Sequence, residues 1–177
     1  MGNRLSKIVT RTGDTGSTGL ATGDRLPKHD LRVHAMGEVD ELNCVIGLIL
    51  IHELPKAIRE RLLATQQELF NLGGELALPG YELVKDTHVL ALDEALELLN
   101  ADLPPLKDFI MPRGNPACAH AHLGRAVARR AERALWALHA KAPLNANPMR
   151  YLNRLSDYLF VVARVLGKGL KEVQWAH

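Results

Sequence analysis

The sequence predicts an all-α fold: an antiparallel five-helix bundle with four-helix-bundle-type, ferritin-like packing, preceded by an irregular loop rich in threonine and glycine. Three observations predict it. Apolar residues return at three- and four-residue steps in five separate stretches, the period that lines one face of a helix. Aromatic residues make up only 5% of the 177 residues while alanine and leucine abound, which favours helix over strand. The five stretches are joined by short connections marked by proline and glycine, as neighbouring antiparallel helices require. No stretch of useful length alternates with the period of a strand, and there is no internal repeat or low-complexity tract.

The first element is the loop Thr10-Arg11-Thr12-Gly13-Asp14-Thr15-Gly16-Ser17-Thr18-Gly19-Leu20. Threonine or serine sits beside glycine three times at a spacing of three. Glycine permits the positive φ angles that turn successive N–H groups toward one point. Hydroxyls add donors, and such a concave nest holds phosphate oxygens. The glycines read G-x-x-G-x-x-G, neither the dinucleotide fingerprint nor a Walker A loop. A phosphate cradle and a loose N-terminal arm both fit this stretch taken alone. A basic connector from Asp24 to Asp30 follows, holding Arg25, Pro27 and Lys28.

The helices come next. The first runs from about Leu31 to His52, with Val33, Met36, Val39, Leu42, Ile46 and Ile49 on one face. Pro55 closes it and opens the second at its first turn. The second carries Ile58, Leu62, Leu69 and Leu72 and fades at Gly73-Gly74. Asp86-Thr87 starts the third, with Val89, Leu92, Leu96 and Leu99 aligned. The Leu103-Pro-Pro-Leu106 stretch breaks it, and Phe109 to Gly114 is extended, because Pro112 disfavours helix just before it. The fourth runs from about Pro116 to Lys141. The fifth runs from about Pro148 to Gly167, with Asn147 as its cap and Pro148 at its first position.

The chain reads as one domain over 1–177, divided into a loop region 7–30, a bundle 31–168 and a loose tail 169–177. Hydrophobic residues at 47% and charged residues at 24% are an ordinary globular balance. The formal net charge of +2 is too small to imply nucleic acid. Cys44 and Cys118 lie inside apolar helical patterns and read as small core residues rather than a disulfide, a metal pair or a nucleophile. No apolar run approaches the roughly 18 residues of a membrane span, and the start lacks an apolar signal-peptide core. Met1 to Ser6 fits the loose myristoylation pattern, but nothing else points to an anchor. The expectation is a cytoplasmic protein with neither membrane nor nucleic acid as partner.

The fourth helix carries the second chemical signal. Arg125, Arg129 and Arg133 are four apart and stack along one face, and Glu132 lies on the same side. Like charges at that spacing destabilise a helix by a few tenths of a kcal/mol per pair, so the row calls for a counter-charge. Three readings fit: a solvated basic face, a helix that contacts nucleic acid, and a face that clamps a polyphosphate. Asp40 and Asn43 on the first helix, and Asn153 and Asp157 on the fifth, place polar groups beside apolar neighbours, where they need partners. Interhelical bonding and ligand binding both account for them. His120 and His122 flank Ala121 and point apart on a helix, which does not suit a zinc site. No Ser-His-Asp set or paired carboxylates stand out, so an enzyme built here would draw its nucleophile from outside the protein.

These residues resemble a family. Thr10-Arg-Thr-Gly-Asp14 with Gly16, Thr18 and Leu20, then Lys28, Arg32-Val33, Gly37, Val39-Asp-Glu-Leu-Asn43 and Gly47, resemble the opening of PduO-type ATP:cob(I)alamin adenosyltransferases, the corrinoid adenosyltransferases. Phe109-Ile-Met-Pro112, His122, Arg125, Arg129-Arg-Ala-Glu-Arg133 and Tyr151 to Phe160 follow in the family's order, so the resemblance spans roughly residues 7–168. It implies a homotrimer whose sites lie between subunits, and transfer of the 5′-deoxyadenosyl group of ATP to the cobalt of cob(I)alamin with release of triphosphate. Reduced cobalt is then the missing nucleophile.

Carried over by motif, the cofactor-binding residues are Thr10, Arg11, Thr12, Gly13, Asp14, Gly16, Ser17, Thr18 and Lys28 on the phosphates, with Arg129, Glu132, Arg133 and Asn153 from the bundle. The catalytic set is Arg125, Arg129, Phe109 and Asp40. Arg125 pairs with Asp40 of a neighbouring subunit, and Phe109 lies against the lower corrin face and displaces the axial ligand. Mg²⁺ rides on the triphosphate rather than on a protein site. A reductase and an adenosylcobalamin-dependent enzyme are the implied protein partners. The chain departs from the family at Thr15, where a charged residue is frequent, and at Arg113, where Pro-Gly-Gly is usual. The competing functions are a catalytically silent ATP-binding sensor on the same bundle and a helical nucleic-acid-binding module.

Overall fold

The structure, a computed structural model, describes residues 8–176. The Met1 to Ser6 myristoylation pattern lies outside them. Five helices carry the fold: α1 (Leu31–Leu50), α2 (Lys56–Ala77), α3 (Asp86–Asn100), α4 (Pro116–His139) and α5 (Ala146–Leu166). Before them stands a hairpin of two short strands, β1 (Ser17–Gly19) and β2 (Arg25–Pro27), with Thr18 opposite Leu26. The sequence reading expected no strand there, since three residues are too few to show a period.

α1 packs on α2 and α4, and α4 packs on α5. The ring closes where the Tyr151 hydroxyl of α5 donates to Glu68 of α2 at 2.6 Å, and Glu68 also pairs with Arg61. α3 lies outside, against α5. Its ion pairs, Asp86 with Arg150 and Asp93 with Arg154, advance in the same direction along both helices, so α3 runs in the sense of α5. The core is aliphatic: Leu42, Ile46, Leu62, Leu69, Leu135, Leu152 and Leu159 are buried, which at about 1.5–3 kcal/mol per side chain supplies the main drive to fold.

Caps set most helix starts. Asp30 accepts the Arg32 N–H at 2.8 Å to begin α1, and Asn115 accepts the Cys118 N–H at 2.8 Å ahead of Pro116. α5 begins earlier than expected: Asn145, not Asn147, is the cap, and the Asn147 amide donates instead to the Val84 carbonyl. α2 does not fade at Gly73-Gly74. Each glycine costs about 1 kcal/mol in a helix, but the buried Leu72 and Leu76 anchor the turn, and Glu75 accepts from the Leu83 and Val84 N–H groups at 2.9 Å.

Two further expectations change. Cys118 is buried, but Cys44 is exposed, because Leu42, Asn43, Val45 and Ile46 take the inward positions around it. The tail expected to be loose is instead hydrogen-bonded: the Met111 N–H donates to the Val173 carbonyl and the Trp175 N–H to the Phe109 carbonyl, each at 2.8 Å. None of the helices is long and apolar enough to cross a membrane among the described residues.

Candidate active site

The Thr/Gly loop is a folded object. Arg11 (φ 60°) and Gly16 (φ 82°) take left-handed conformations that turn the chain back on itself. The Gly16 N–H then reaches the Gly13 carbonyl at 3.2 Å. Arg25, on β2, holds the loop closed. Its guanidinium donates to the Thr12 carbonyl at 2.6 Å, to the Ser17 carbonyl at 3.1 Å and to the Ser17 hydroxyl at 2.8 Å. Gly13 lets the chain pass close by, since a Cβ there would stand 3.2 Å from the Lys28 ammonium and 3.3 Å from the Ser17 carbonyl, a tight fit. Lys28 therefore lies across the loop, and its own N–H donates to Gly16 at 2.9 Å. Thr10, Arg11, Thr12, Asp14 and Lys28 are all exposed, so their polar groups face outward.

The second half of the site lies on α4 and α5. The Asn153 amide donates to Glu132 at 3.3 Å, which joins two of the sequence-predicted residues across the helix pair. Arg129 and Arg133 are exposed, and the Arg133 guanidinium reaches the Arg129 carbonyl at 3.2 Å. Arg125 is half-buried, and its Nε has no hydrogen-bond partner among the described residues. Burial, then the neighbouring Arg129 charge, hold its guanidinium below the usual arginine range. Arg130 behaves differently: it forms ion pairs with both Glu38 and Glu41 of α1, which push its pKa up.

Among the described residues, Arg125, Arg129 and Arg133 make no ion pair within the chain. Asp40 is exposed on α1 and does not meet Arg125 of its own chain; it lies on a groove between α1 and α2 of about 680 Å³, with Gly37, Phe70 and Gly73. Nor, among the described residues, does any hydrogen bond or ion pair join the Thr/Gly loop to the arginine face. The loop with Lys28, and Arg129 with Glu132 and Asn153, thus form two groups that no polar bond joins within the described chain.

A third feature lies at the far end of α4. Phe109 is 78% exposed, on an extended segment that walls a cavity of about 420 Å³. Met111, Cys118, His122, Arg164, Leu170 and Val173 are among its lining residues. Gly114 is required there, because a Cβ would stand 2.9 Å from the Cys118 sulfur. His122 is buried edge-on against Phe160, and burial, then Arg125, lower its pKa, which favours the neutral ring. Burial, then Glu172, raise that of the Cys118 thiol, which leaves it a poor nucleophile. His122, Arg125, Arg129 and Glu132 follow one another at helical steps, so a single helix links this cavity to the Asn153 contact.

Residues 8–166 match the family described as Cobalamin adenosyltransferase. The chain belongs to the cobalamin adenosyltransferase family. A Cobalamin adenosyltransferase of Cupriavidus metallidurans is 55% identical over 178 residues, covering 99% of this chain and 97% of the relative. A Corrinoid adenosyltransferase of Bacillus subtilis is 40% identical over 180 residues, covering 96% and 92%. Among solved structures, a Phe-to-Ala variant of a PduO-type ATP:corrinoid adenosyltransferase from Lactobacillus reuteri, complexed with cobalamin and ATP, superposes with a TM-score of 0.90 at 30% identity, covering 97% of this chain and 100% of that one.

Within this cobalamin adenosyltransferase fold, the sequence reading missed three participants. Arg25 carried the signal of a basic residue facing a Thr/Gly run, but only the hairpin shows what it holds. The Arg130 clamp was hidden because all four arginines of α4 look alike in sequence. The cavity behind Phe109 depends on the tail, whose pairing with residues 109–111 spans the length of two helices. His120 and His122 do point apart: His120 lies 2.8 Å from His52, and no cluster of three or more metal-ligating side chains occurs among the described residues.

Proposed function

We propose that this chain transfers the 5′-deoxyadenosyl group of ATP to the cobalt of cob(I)alamin, giving adenosylcobalamin and triphosphate. One observation carries the reading. Three guanidiniums stand in a row on α4 and, among the described residues, form no ion pair with a carboxylate of their own chain, while their neighbour Arg130 takes two. A row of like charges left in that state suits a polyanion. Family membership, and a superposing adenosyltransferase structure complexed with cobalamin and ATP, support the same substrates.

The residues then have distinct tasks. The Thr10 to Thr18 loop and Lys28 hold the triphosphate through N–H groups, hydroxyls and one ammonium. Glu132 and Asn153 orient the nucleoside end. The cobalt electron pair attacks C5′; the Co–C bond forms as the C5′–O bond breaks, and its electron pair leaves on the triphosphate. Arg129 and Arg133 stabilise that developing charge. Mg²⁺ would accompany the substrate on its triphosphate and would help neutralise the phosphate charge. Phe109 faces the lower corrin surface and excludes the axial ligand, so Co(II) is more easily reduced.

The complete site is intermolecular. Asp40, exposed on the groove beside Gly37 and Gly73, and Arg125, with its buried unpaired Nε, are complementary groups that the single chain leaves apart. Pairing them between copies in a homotrimer removes the cost of an unsatisfied buried donor and brings the loop of one subunit to the arginine face of the next. The exposed free thiol of Cys44 suits the reducing cytoplasm, where an electron-donating reductase supplies Co(I) and a cobalamin-dependent enzyme takes the product. The test is direct: incubate the protein anaerobically with Mg-ATP and chemically reduced cobalamin and follow the corrinoid spectrum. Adenosylcobalamin and triphosphate are expected in equal amounts; unchanged cob(I)alamin overturns the reading.

A further inference from the structure

Phe109 carries an exposed ring, so packing of the ring does not hold it. Its backbone is held instead at both ends. The Phe109 N–H donates to the Asp108 carboxylate at 2.7 Å, and its carbonyl accepts the Trp175 N–H at 2.8 Å. Two residues on, the Met111 N–H donates to Val173, and Ile110 pairs antiparallel with Gln174. The last residues of the chain therefore act as a strap across the segment that presents Phe109.

Apolar burial holds this strap only in part: Val173 is half-buried, while Leu170 is 51% and Trp175 52% exposed. An ion pair adds to it. The Arg164 side chain, 4% exposed at the end of α5, donates through Nε to Glu172 at 2.9 Å and through Nη2 to its second oxygen at 3.5 Å. The same Nη2 donates to the Pro104 carbonyl at 2.7 Å, on the segment that leads into Phe109 from the other side. A buried guanidinium is expensive to leave without its carboxylate, so Arg164 and Glu172 are strongly coupled.

We propose that Arg164 and Glu172 are positioning residues for Phe109: their ion pair latches residues 170–176 against α5, and the latched strap fixes the Phe109 backbone where its ring meets the corrinoid. The proposal rests on the corrinoid-facing role given to Phe109 above.

The test uses the full chain with Glu172→Lys, Glu172→Gln and Glu172→Asp, and Phe109→Ala to mark the floor. Two quantities are read: hydrogen exchange in peptides covering 108–113 and 172–176, and the share of bound cob(II)alamin that lacks an axial ligand, taken from its absorption and magnetic spectra with Mg-ATP present. Glu172→Lys should speed exchange at Met111 and Trp175 by roughly tenfold, the weight of a lost charge-assisted hydrogen bond. It should also lower the ligand-free share toward that of Phe109→Ala, while ATP affinity stays within about twofold of wild type, since the pair lies away from the proposed phosphate residues. Glu172→Asp should restore both readouts. Unchanged exchange in Glu172→Lys overturns the latch; faster exchange with an unchanged ligand-free share overturns the positioning role. If the lysine variant does not fold, Glu172→Gln carries the same comparison. A wild-type protein that never yields ligand-free cob(II)alamin refutes the role of Phe109 itself, and the exchange data then judge the latch alone.

Discussion

Replacing Arg129 by alanine separates what this residue does for the fold from what it does for the reaction. Within the fold it is a cost. It stands four residues from both Arg125 and Arg133, is exposed, and has no ion-pair partner in its chain among the described residues. Each like-charge pair at that spacing costs about 0.2–0.5 kcal/mol, less once salt screens it. Removing the shared member should therefore stabilise the free protein by roughly 0.5 kcal/mol, or raise Tm by about 1–2 °C for a domain of this size. Alanine also improves helix propensity slightly. In the reaction the sign reverses. A fixed donor aimed at a developing oxyanion contributes about 2.7–4 kcal/mol, so kcat should fall by roughly 10²–10³. Anaerobic turnover with Mg-ATP and cob(I)alamin gives the rate, and calorimetry without ligand gives Tm. A variant that keeps more than about a tenth of wild-type kcat refutes the leaving-group role. A Tm that drops by several degrees refutes the claim that the row is left unpaired for a ligand.

Three other substitutions probe the rest of the site. Arg25→Met removes the guanidinium that closes the loop through Thr12 and Ser17; losing an ordered cradle worth about 1–2 kcal/mol should raise KM for ATP roughly 5–30-fold with kcat nearly unchanged, and an unaltered KM would show that the loop orders without it. Asp40→Asn should shift sedimentation from the proposed trimer toward monomer and lower turnover at dilute protein, whereas an assembly and activity equal to wild type contradict its pairing with Arg125 across copies. His122→Phe addresses pH. Burial holds the His122 pKa below 6.5, so the unfolded chain binds the proton more readily, and stability should fall as pH drops below 6.5 toward the folded value. That slope, at most about 1.4 kcal/mol per pH unit from one residue, should flatten in the phenylalanine variant; an identical acid limb in both proteins would count against a neutral buried ring.

How much of this was legible in the sequence depends on the range of the interaction. The five helices were, because each rests on a local apolar period bounded by start and stop signals such as Pro55 and Asp86-Thr87; the capping bonds of Asp30 and Asn115 emerge only in the structure. The hairpin was not, since Ser17–Gly19 and Arg25–Pro27 are stabilised by a guanidinium and not by alternating burial. Helix α2 overran Gly73-Gly74 because its neighbours are anchored by contacts distant in sequence. Asn153 and Glu132 do meet, as helical steps on two packed helices allow. The tail looked loose because its holding partners, Arg164 and the carbonyl of Phe109, carry no pattern that marks them as such.

The sorting of charges between α1 and α4 ties these observations together. Glu38, Asp40 and Glu41 occupy one turn of α1, and four arginines occupy about two turns of α4. Had the fold maximised its own ion pairs, a cation would be spent on every carboxylate. Instead Arg130 takes both Glu38 and Glu41, and Glu38, which His34 of α1 also approaches at 3.7 Å, is mostly buried, so that clamp fixes how α4 lies on α1. With those two carboxylates engaged by Arg130, no carboxylate among the described residues forms an ion pair with Arg129 or Arg133. Asp40, between them in sequence, faces the opposite way into the groove with Gly37 and Gly73. Asp40, Arg129 and Arg133 are exposed and Arg125 is half-buried with an unpartnered Nε among the described residues, an arrangement that suits two external partners of opposite sign. The acid suits a cation from another copy, and the arginines suit a polyanion such as triphosphate. One clamp therefore sets the helix register and, under the proposed function, leaves the positive field in which the leaving group would depart.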